Sequence, residues 1–459
     1  MPEVIVAGGG IAGLATAYYL TKLSKGSIDV RVYEASPRLG GKIATGIFDD
    51  RPFEMGADSF LSRVPWAVDL CRELGVELVA PDTTSAHIWS RGKLRPLRSG
   101  PVLGLPSSAK AIIGSGCLSP SGAIRMGKDL FKSRSLIVGD VSVGTLIAER
   151  LGAEVVERFT DPLLGGVYAG HAMSLSVEAT TPALRQLVES HRSIILGLRS
   201  IQKRRQGNGP IFSTVPGGLE SITNAIVASL PTNSIKLNSS VGALASSGTG
   251  WLVGLENGRA SAADAVVLAL PAFESQRLLS PSLADAALLS TIPYASVAVV
   301  AMSYAADGFR SVAKSSGFLV PRAEGRFITA CTFSSNKWAR LGSSDRVLLR
   351  ASVGRIDDER WLQMDDSQIA ARVDEDLKRI LGLRTAPSHF NIVRWHRSLP
   401  QYNVGHLQRV HEVVEATRRL PHMVELVGAG YLGVGIPACI KQAKEAAERI
   451  VKRLRPDLV

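Results

Sequence analysis

Cysteine is scarce in this 459-residue chain: Cys71, Cys117, Cys331 and Cys439 stand far apart, and no C-x-x-C pair occurs. Such spacing excludes a zinc finger and a disulfide framework, and it fits a reducing compartment. Long apolar runs are lacking too. None approaches the ~20 residues that a membrane-spanning helix needs, and the longest, residues 262–272, is broken by Asp264 and has strand length. The first residues hold no basic segment followed by a cleavable apolar one, so a cytoplasmic location is expected, with no membrane span. Neither an internal repeat nor a long low-complexity linker is present. The formal net charge of +12 is spread along the chain, and its densest cluster, "KRRQ" at 203–206, reads as a solvated loop rather than a nucleic-acid contact. No nucleic-acid partner is expected. An acidic small molecule or a peripheral contact with an anionic membrane surface stays open.

What is present is a globular composition, 45% apolar and 20% charged, over a length that predicts two to three domains or subdomains. It begins with "VIVAGGGIAGLATAYYL" at 4–20. Val4 to Ala7 predict a buried parallel strand, and the residues from Ile11 and Ala12 onward predict a helix. Between them lies Gly8-Gly9-Gly10, extended to Gly13 in the spacing G-x-G-x-x-G. Strand, glycine turn and helix in that order form a phosphate seat: one glycine makes the turn, one lets the backbone approach a pyrophosphate, and one packs helix on strand. A second strand, Val30 to Tyr33, ends at Glu34, about 20 residues beyond the last glycine, where a carboxylate receives a ribose hydroxyl. Glu34 and the following Ala35 therefore mark the nucleoside end of a dinucleotide site.

Residues 35–60, "ASPRLGGKIATGIFDDRPFEMGADSF", carry Arg38 ahead of Gly40-Gly41-Lys42. This resembles the second glycine motif of the FAD amine oxidase and protoporphyrinogen oxidase superfamily. The resemblance implies FAD as cofactor, with Arg38, Gly41 and Lys42 near its diphosphate and Gly56, Ala57, Asp58 and Ser59 along it. The C-terminal "MVELVGAGYLGVGIPACIKQAKEAAERIVKRL" repeats the order strand (424–427), glycine turn, helix, with Ile440, Ala443, Ala447, Ile450 and Val451 on one face. In the superfamily the isoalloxazine lies over the start of this helix, where the dipole favours negative charge, which sets Val434, Gly435 and Ile436 beside the flavin, with Gly428 also at the cofactor. The block 235–272 forms a strand meander with a hairpin at "ENGR", and its Val241 matches the residue whose backbone meets the adenine.

The implied fold is α/β (α+β): a Rossmann-type FAD-binding domain with an inserted mixed-sheet substrate domain and a helical lobe. The expected segments are 1–90, 211–275 and 416–459 for FAD, 91–210 for the helical lobe with part of the substrate domain, and 276–415 for the substrate sheet.

Two stretches, "FTDPLLGGVYAGHAMSLSVEATTPAL" (159–184) and "RWHRSLPQYNVGH" (394–406), resemble the oxygen-dependent porphyrinogen oxidases of haem biosynthesis, and they bring Trp395 to the cofactor. "GVGIPACIKQAK" and "RPFEMGADSFLSR" are more like the coproporphyrin-forming bacterial branch, and a basic chain suits a substrate with four propionates. The resemblance implies oxidation of coproporphyrinogen III to coproporphyrin III, with molecular oxygen as acceptor and hydrogen peroxide released. Protoporphyrinogen IX oxidation is the alternative; amine oxidation and tetrapyrrole binding without turnover are more distant ones.

Arg63 is the candidate propionate partner, since guanidinium binds carboxylate bidentately; the competing reading is an exposed arginine ahead of a helix at Pro65. The next position, a lysine in a bacterial relative, is Val64 here. Arg91, Lys93, Arg95 and Arg98 lie on an expected hairpin. His171, His396 and His406 are read as structural, no metal site is expected, and no side chain is singled out as catalytic because pyrrole N–H groups can release their own protons.

Overall fold

A computed structural model of the protein describes residues 1–97, 105, 109–134, 136–204, 209–309 and 314–458. Arg98 and part of the 203–206 cluster lie outside them.

Strand Glu3–Ala7 is the middle of a five-stranded sheet ordered Met423–Leu426, Ala265–Leu268, Glu3–Ala7, Asp29–Tyr33, Ile235–Lys236. All neighbours run parallel, with Val4 opposite Ala265 and Val266 opposite Val424. A parallel sheet is covered on both faces, which is why Ala265–Leu268 is buried throughout rather than alternating. One face takes the helices Ile11–Leu23 and Ile436–Leu454, which meet through the small side chains Ala12, Ala15, Ala443 and Ala447 and bury Leu14, Ile440 and Ile450. The other face takes the antiparallel meander Val241–Ser246, Trp251–Leu255 and Ala260–Ala263, pinned where Trp251 Nε1 donates to Met423 O at 3.1 Å.

The second sheet has seven strands in the order His389–Pro400, Tyr294–Ala305, Arg346–Val353, Ile328–Phe333, Gly317–Leu319, Ala86–Ser90, Lys93–Leu97. Helix Asp366–Leu381 covers it; that helix starts at a capping box of Asp365 and Gln368, and Ile369, Val373 and Leu377 face the sheet. The third body is helical, 109–204, closed by the buried pair Arg150–Asp129 at 2.8 Å.

The expected segment boundaries differ from this at two places. Strand Ala86–Ser90, at the end of the expected first cofactor segment, pairs in parallel with Gly317–Leu319 and so belongs to the second sheet, and the hairpin through Lys93–Leu97, in the segment expected to hold part of the substrate domain, extends that sheet. Helix His406–Thr417 packs with strand Met423–Leu426 in the core behind the parallel sheet, so the last cofactor segment starts ahead of 416.

Candidate functional site

The glycine turn after Glu3–Ala7 explains itself atom by atom. Gly8 has φ +104°, and a Cβ there would stand 2.6 Å from Ala269 O; a Cβ on Gly13 would stand 1.9 Å from Gly8 O. Packing alone demands glycine at both. Gly10 is different. Its φ is −74°, and a Cβ would meet only Gly41 Cα at 3.8 Å, an ordinary contact. No described residue requires the bare backbone at Gly10, the middle position of the turn, where a pyrophosphate approaches in a dinucleotide site. Helix Ile11–Leu23 begins there with no side-chain cap and no acidic residue in its first turn, leaving N–H groups free for an anion.

Glu34 stands at the end of the second strand, as the sequence predicts, and accepts N–H of Gly9 at 2.6 Å and of Ser36 at 2.9 Å. Its carboxylate thus fixes the glycine turn and keeps lone pairs for a ribose hydroxyl. Exposed Ala35 follows. The strand block returning at 238–241 joins here, where Ser239 N donates to Glu34 O at 2.8 Å, and Val241 is buried with its carbonyl receiving Arg277 at 3.2 Å.

The second glycine pair faces the first: Gly40 N donates to Gly9 O at 2.9 Å, and Gly40 and Gly41 both have positive φ. Arg38 turns its guanidinium inward to the carbonyls of Leu39, Gly41 and Ile43 and lies 5.7 Å over the Trp395 ring. Trp395 in turn donates Nε1 to Met55 O at 2.9 Å. Next in the wall, a Cβ on Gly56 would stand 2.0 Å from Lys42 O, which receives Ala57 N at 3.2 Å. Asp58 pairs with Lys337 Nζ at 2.7 Å and accepts Ser59 Oγ at 2.9 Å. Burial alone would raise the Asp58 carboxyl, but Lys337 and Arg350 outweigh it and hold it well below the usual carboxylate range. Lys42 reaches solvent though protein surrounds it, and that desolvation lowers its ammonium from the ordinary value. Two cations, Lys337 and Arg350, therefore stand against the Asp58 carboxylate.

The C-terminal turn completes the groove. Gly428 and Gly433 have φ of +125° and +127°, and Gly428 lies across the first helix, its Cβ position 3.8 Å from Ala12 Cβ. Gly435 begins helix Ile436–Leu454 without a side-chain cap or an acid in the first turn. Ile436 enters the core with the first helix, while Val434 packs against the helical lobe, so this turn lies where the bodies join.

Tyr402 and His406, which sequence reading left without a role in the site, hold that turn. The Tyr402 hydroxyl donates to Ala429 O and accepts Gly433 N, both at 2.7 Å. The signal was their place in "PQYNVGH". Lys337 and Arg350 were missed outright, since no motif surrounds them. Arg63 is exposed on the link between the strand pair 60–61/212–213 and helix Pro65–Glu73, with no ion-pair partner among the described residues. On the hairpin, Arg91 is taken by Glu154 at 2.7 Å. His171 Nδ1 accepts Met173 N at 3.1 Å, and exposed His396 stacks on Trp361; neither faces the groove wall just described. Among the described residues no cluster of three or more His, Cys, Asp or Glu could hold a metal ion.

Two uncapped helix starts, one from each end of the chain, stand beside each other at one parallel sheet behind glycine turns, the arrangement that receives a dinucleotide: the class is a flavoprotein of the FAD type. The model of the flavin-containing amine oxidoreductase family matches residues 11–451, and the chain belongs to that family, with FAD as its cofactor. Within it the chain groups with the porphyrinogen oxidases. It is 36% identical over 457 residues to the coproporphyrinogen III oxidase of Bacillus subtilis, covering 97% of each, and 30% identical to that of Staphylococcus aureus, covering 98% and 99%. Similarity extends to the protoporphyrinogen oxidase of Bos taurus, 31% over 491 residues with 98% of each covered. A crystal structure from Exiguobacterium sp. 255-15 superposes with TM-score 0.87 at 31% identity over 98% of each chain. A reduced UDP-galactopyranose mutase (TM-score 0.75, 15% identity, 99% and 96% covered) shares the fold alone.

Proposed function

We propose that this protein oxidises coproporphyrinogen III to coproporphyrin III in haem biosynthesis, with molecular oxygen as the final acceptor. The observation that carries the reading is the single groove built from both chain ends, in a chain whose bacterial relatives are named for this activity over their whole length. Bound FAD would supply a two-electron acceptor that oxygen can reoxidise, so that six electrons and six protons would leave the macrocycle as three O2 become three H2O2.

The chain's own residues bind and orient. Gly10 and Gly41 leave backbone open to the diphosphate, and Lys42, Lys337 and Arg350 favour negative charge along it. Asp58 stays ionised and engaged with Lys337, so it neither donates nor readily takes a proton at neutral pH. Burial pushes the Tyr168 phenol up to about 12 and Tyr402 well above its ordinary value, so both remain protonated. The one carboxyl beside this wall raised to about 7, Glu54, is buried and accepts Leu219 N and Thr45 Oγ1, so we assign it no role as a base, which suits a substrate whose pyrrole N–H groups release their own protons. Arg63 is our candidate for a propionate, being exposed with no ion-pair partner among the described residues.

A cytoplasmic setting accords with four unpaired buried cysteines; among the described residues no helix is long and apolar enough to cross a membrane. Fractionation, with the protein followed in the soluble and membrane pools, tests this and any peripheral contact. The bovine relative keeps protoporphyrinogen IX as the second reading. Anaerobically prepared coproporphyrinogen III and protoporphyrinogen IX, each mixed with holoprotein and opened to air, separate the two by porphyrin fluorescence and peroxide yield. Faster turnover of coproporphyrinogen is expected; a large preference for the other substrate overturns the assignment, and no peroxide with either overturns the oxidase.

A further inference from the structure

Residues 401–406 join strand His389–Pro400 to helix His406–Thr417 and touch two bodies at once. Toward the helical lobe, Gln401 Nε2 donates to Tyr168 O at 2.7 Å, Tyr402 O accepts Ser176 N at 2.8 Å, and Gly405 N donates to Asp140 Oδ2 at 2.8 Å. Toward the C-terminal glycine turn, the Tyr402 hydroxyl spans Ala429 O and Gly433 N. His406 is fully buried and stacks on the Tyr402 ring, 3.9 Å between centroids and 15° between planes, and its Nε2 lies 2.8 Å from Tyr431 O. A carbonyl only accepts, so Nε2 carries the proton and Nδ1, buried without a partner, does not. The turn from Gly428 to Gly435 has glycine at four of its eight positions and needs left-handed backbone at two of them, so it has much freedom to lose on ordering. Its own side-chain anchor is Tyr431, whose hydroxyl reaches Ser275 at 2.7 Å.

We propose that Tyr402, braced by His406, is a positioning residue for the flavin end of the cofactor: it holds the 429–433 turn so that the uncapped start of helix Ile436–Leu454 faces the groove already ordered. This rests on the FAD reading of the site. The hydroxyl spends one bond on each side of the turn, fixing its width. The stacked imidazole keeps the phenol from rotating away. Burial keeps the phenol protonated and lowers the imidazole to about 4, so the arrangement does not change charge across the physiological range. The same six residues carry this anchor to Tyr168 and Ser176, which couples the turn to the helical lobe.

The test titrates apoprotein with FAD by flavin fluorescence and measures the flavin midpoint potential. Tyr402→Phe keeps the ring and removes both hydrogen bonds. About a tenfold rise in the FAD dissociation constant is expected, together with a lower potential as the helix start loses its aim. His406→Leu removes both the stack and the N–H bond to Tyr431 O and should behave like Tyr402→Phe, while His406→Gln keeps an N–H near Tyr431 O but loses the stack and should weaken FAD by less; this pair also decides the matter if Tyr402→Phe does not fold. Tyr402→Phe with unchanged affinity and potential, or both histidine variants at wild-type affinity and potential, overturns the inference. Wild-type apoprotein that takes up no FAD overturns the cofactor reading itself and this inference with it.

Discussion

Gly10 and Gly13 are the same residue in the same motif, yet they are glycine for opposite reasons. At Gly13 an added methyl would collide with Gly8 O at 1.9 Å, so Gly13→Ala should destabilise the apoprotein by about 1–3 kcal/mol, read as a fall in the denaturant midpoint. At Gly10 the methyl meets nothing closer than 3.8 Å. Gly10→Ala should leave the apoprotein as stable as wild type or slightly more so, while weakening FAD at least tenfold by fluorescence titration. Equal FAD affinity would show that the groove does not pass over Gly10. Asp58 gives a second contrast. Asp58→Asn strands Lys337 beside Arg350 without its partner, and the expected loss is about 2–4 kcal/mol near pH 7. Because the folded carboxyl lies below its unfolded value, this stability is present above about pH 4 and disappears as pH falls further. Wild type and variant should therefore converge in acid.

At the scale of elements, the hairpin of Thr45–Phe48 and Arg51–Glu54 is the bolt between the two sheets. Arginines of the second sheet's side grip it: Arg340 donates to Pro52 O, Arg346 pairs with Asp49 at 3.1 Å, and Arg350 reaches Glu54 O at 3.1 Å. Inside it the Glu54 side chain is buried, accepting Leu219 N at 2.7 Å and Thr45 Oγ1 at 3.0 Å, and burial raises its carboxyl to about 7. Here the sign is opposite to that of Asp58. Between about pH 4.5 and 7 the folded protein holds a proton that the unfolded chain has lost, so stability falls as pH rises through that window and levels off above it. Glu54→Gln should remove roughly 2–4 kcal/mol of that fall in urea titrations, and an unchanged slope would place the pH dependence elsewhere. Neither the hairpin nor its partners were read from the sequence. Arg340, Arg346 and Arg350 sit about 300 residues downstream and belong to no local pattern.

For the whole molecule, the first and last segments share one sheet and one groove, so FAD should act on both together. Saturation at 100 times the dissociation constant adds about 2.7 kcal/mol, and hydrogen exchange should slow in Glu3–Ala7 and Met423–Leu426 alike on binding. Protection confined to one end would mean that the ends do not share the cofactor.

By itself the sequence determined the two strand, glycine turn and helix units, the acid at Glu34 and the family resemblance, because each is written in neighbours a few residues apart, where β-branching, missing side chains and helical periodicity decide the backbone. Only the tertiary structure decided that Lys337 and Arg350 charge the groove, that Arg91 is already paired, and that Tyr402 with His406 clamps the last glycine turn. Those contacts join distant parts of the chain, and their strength depends on burial and angle, quantities that arise only when the sheets have closed on one another.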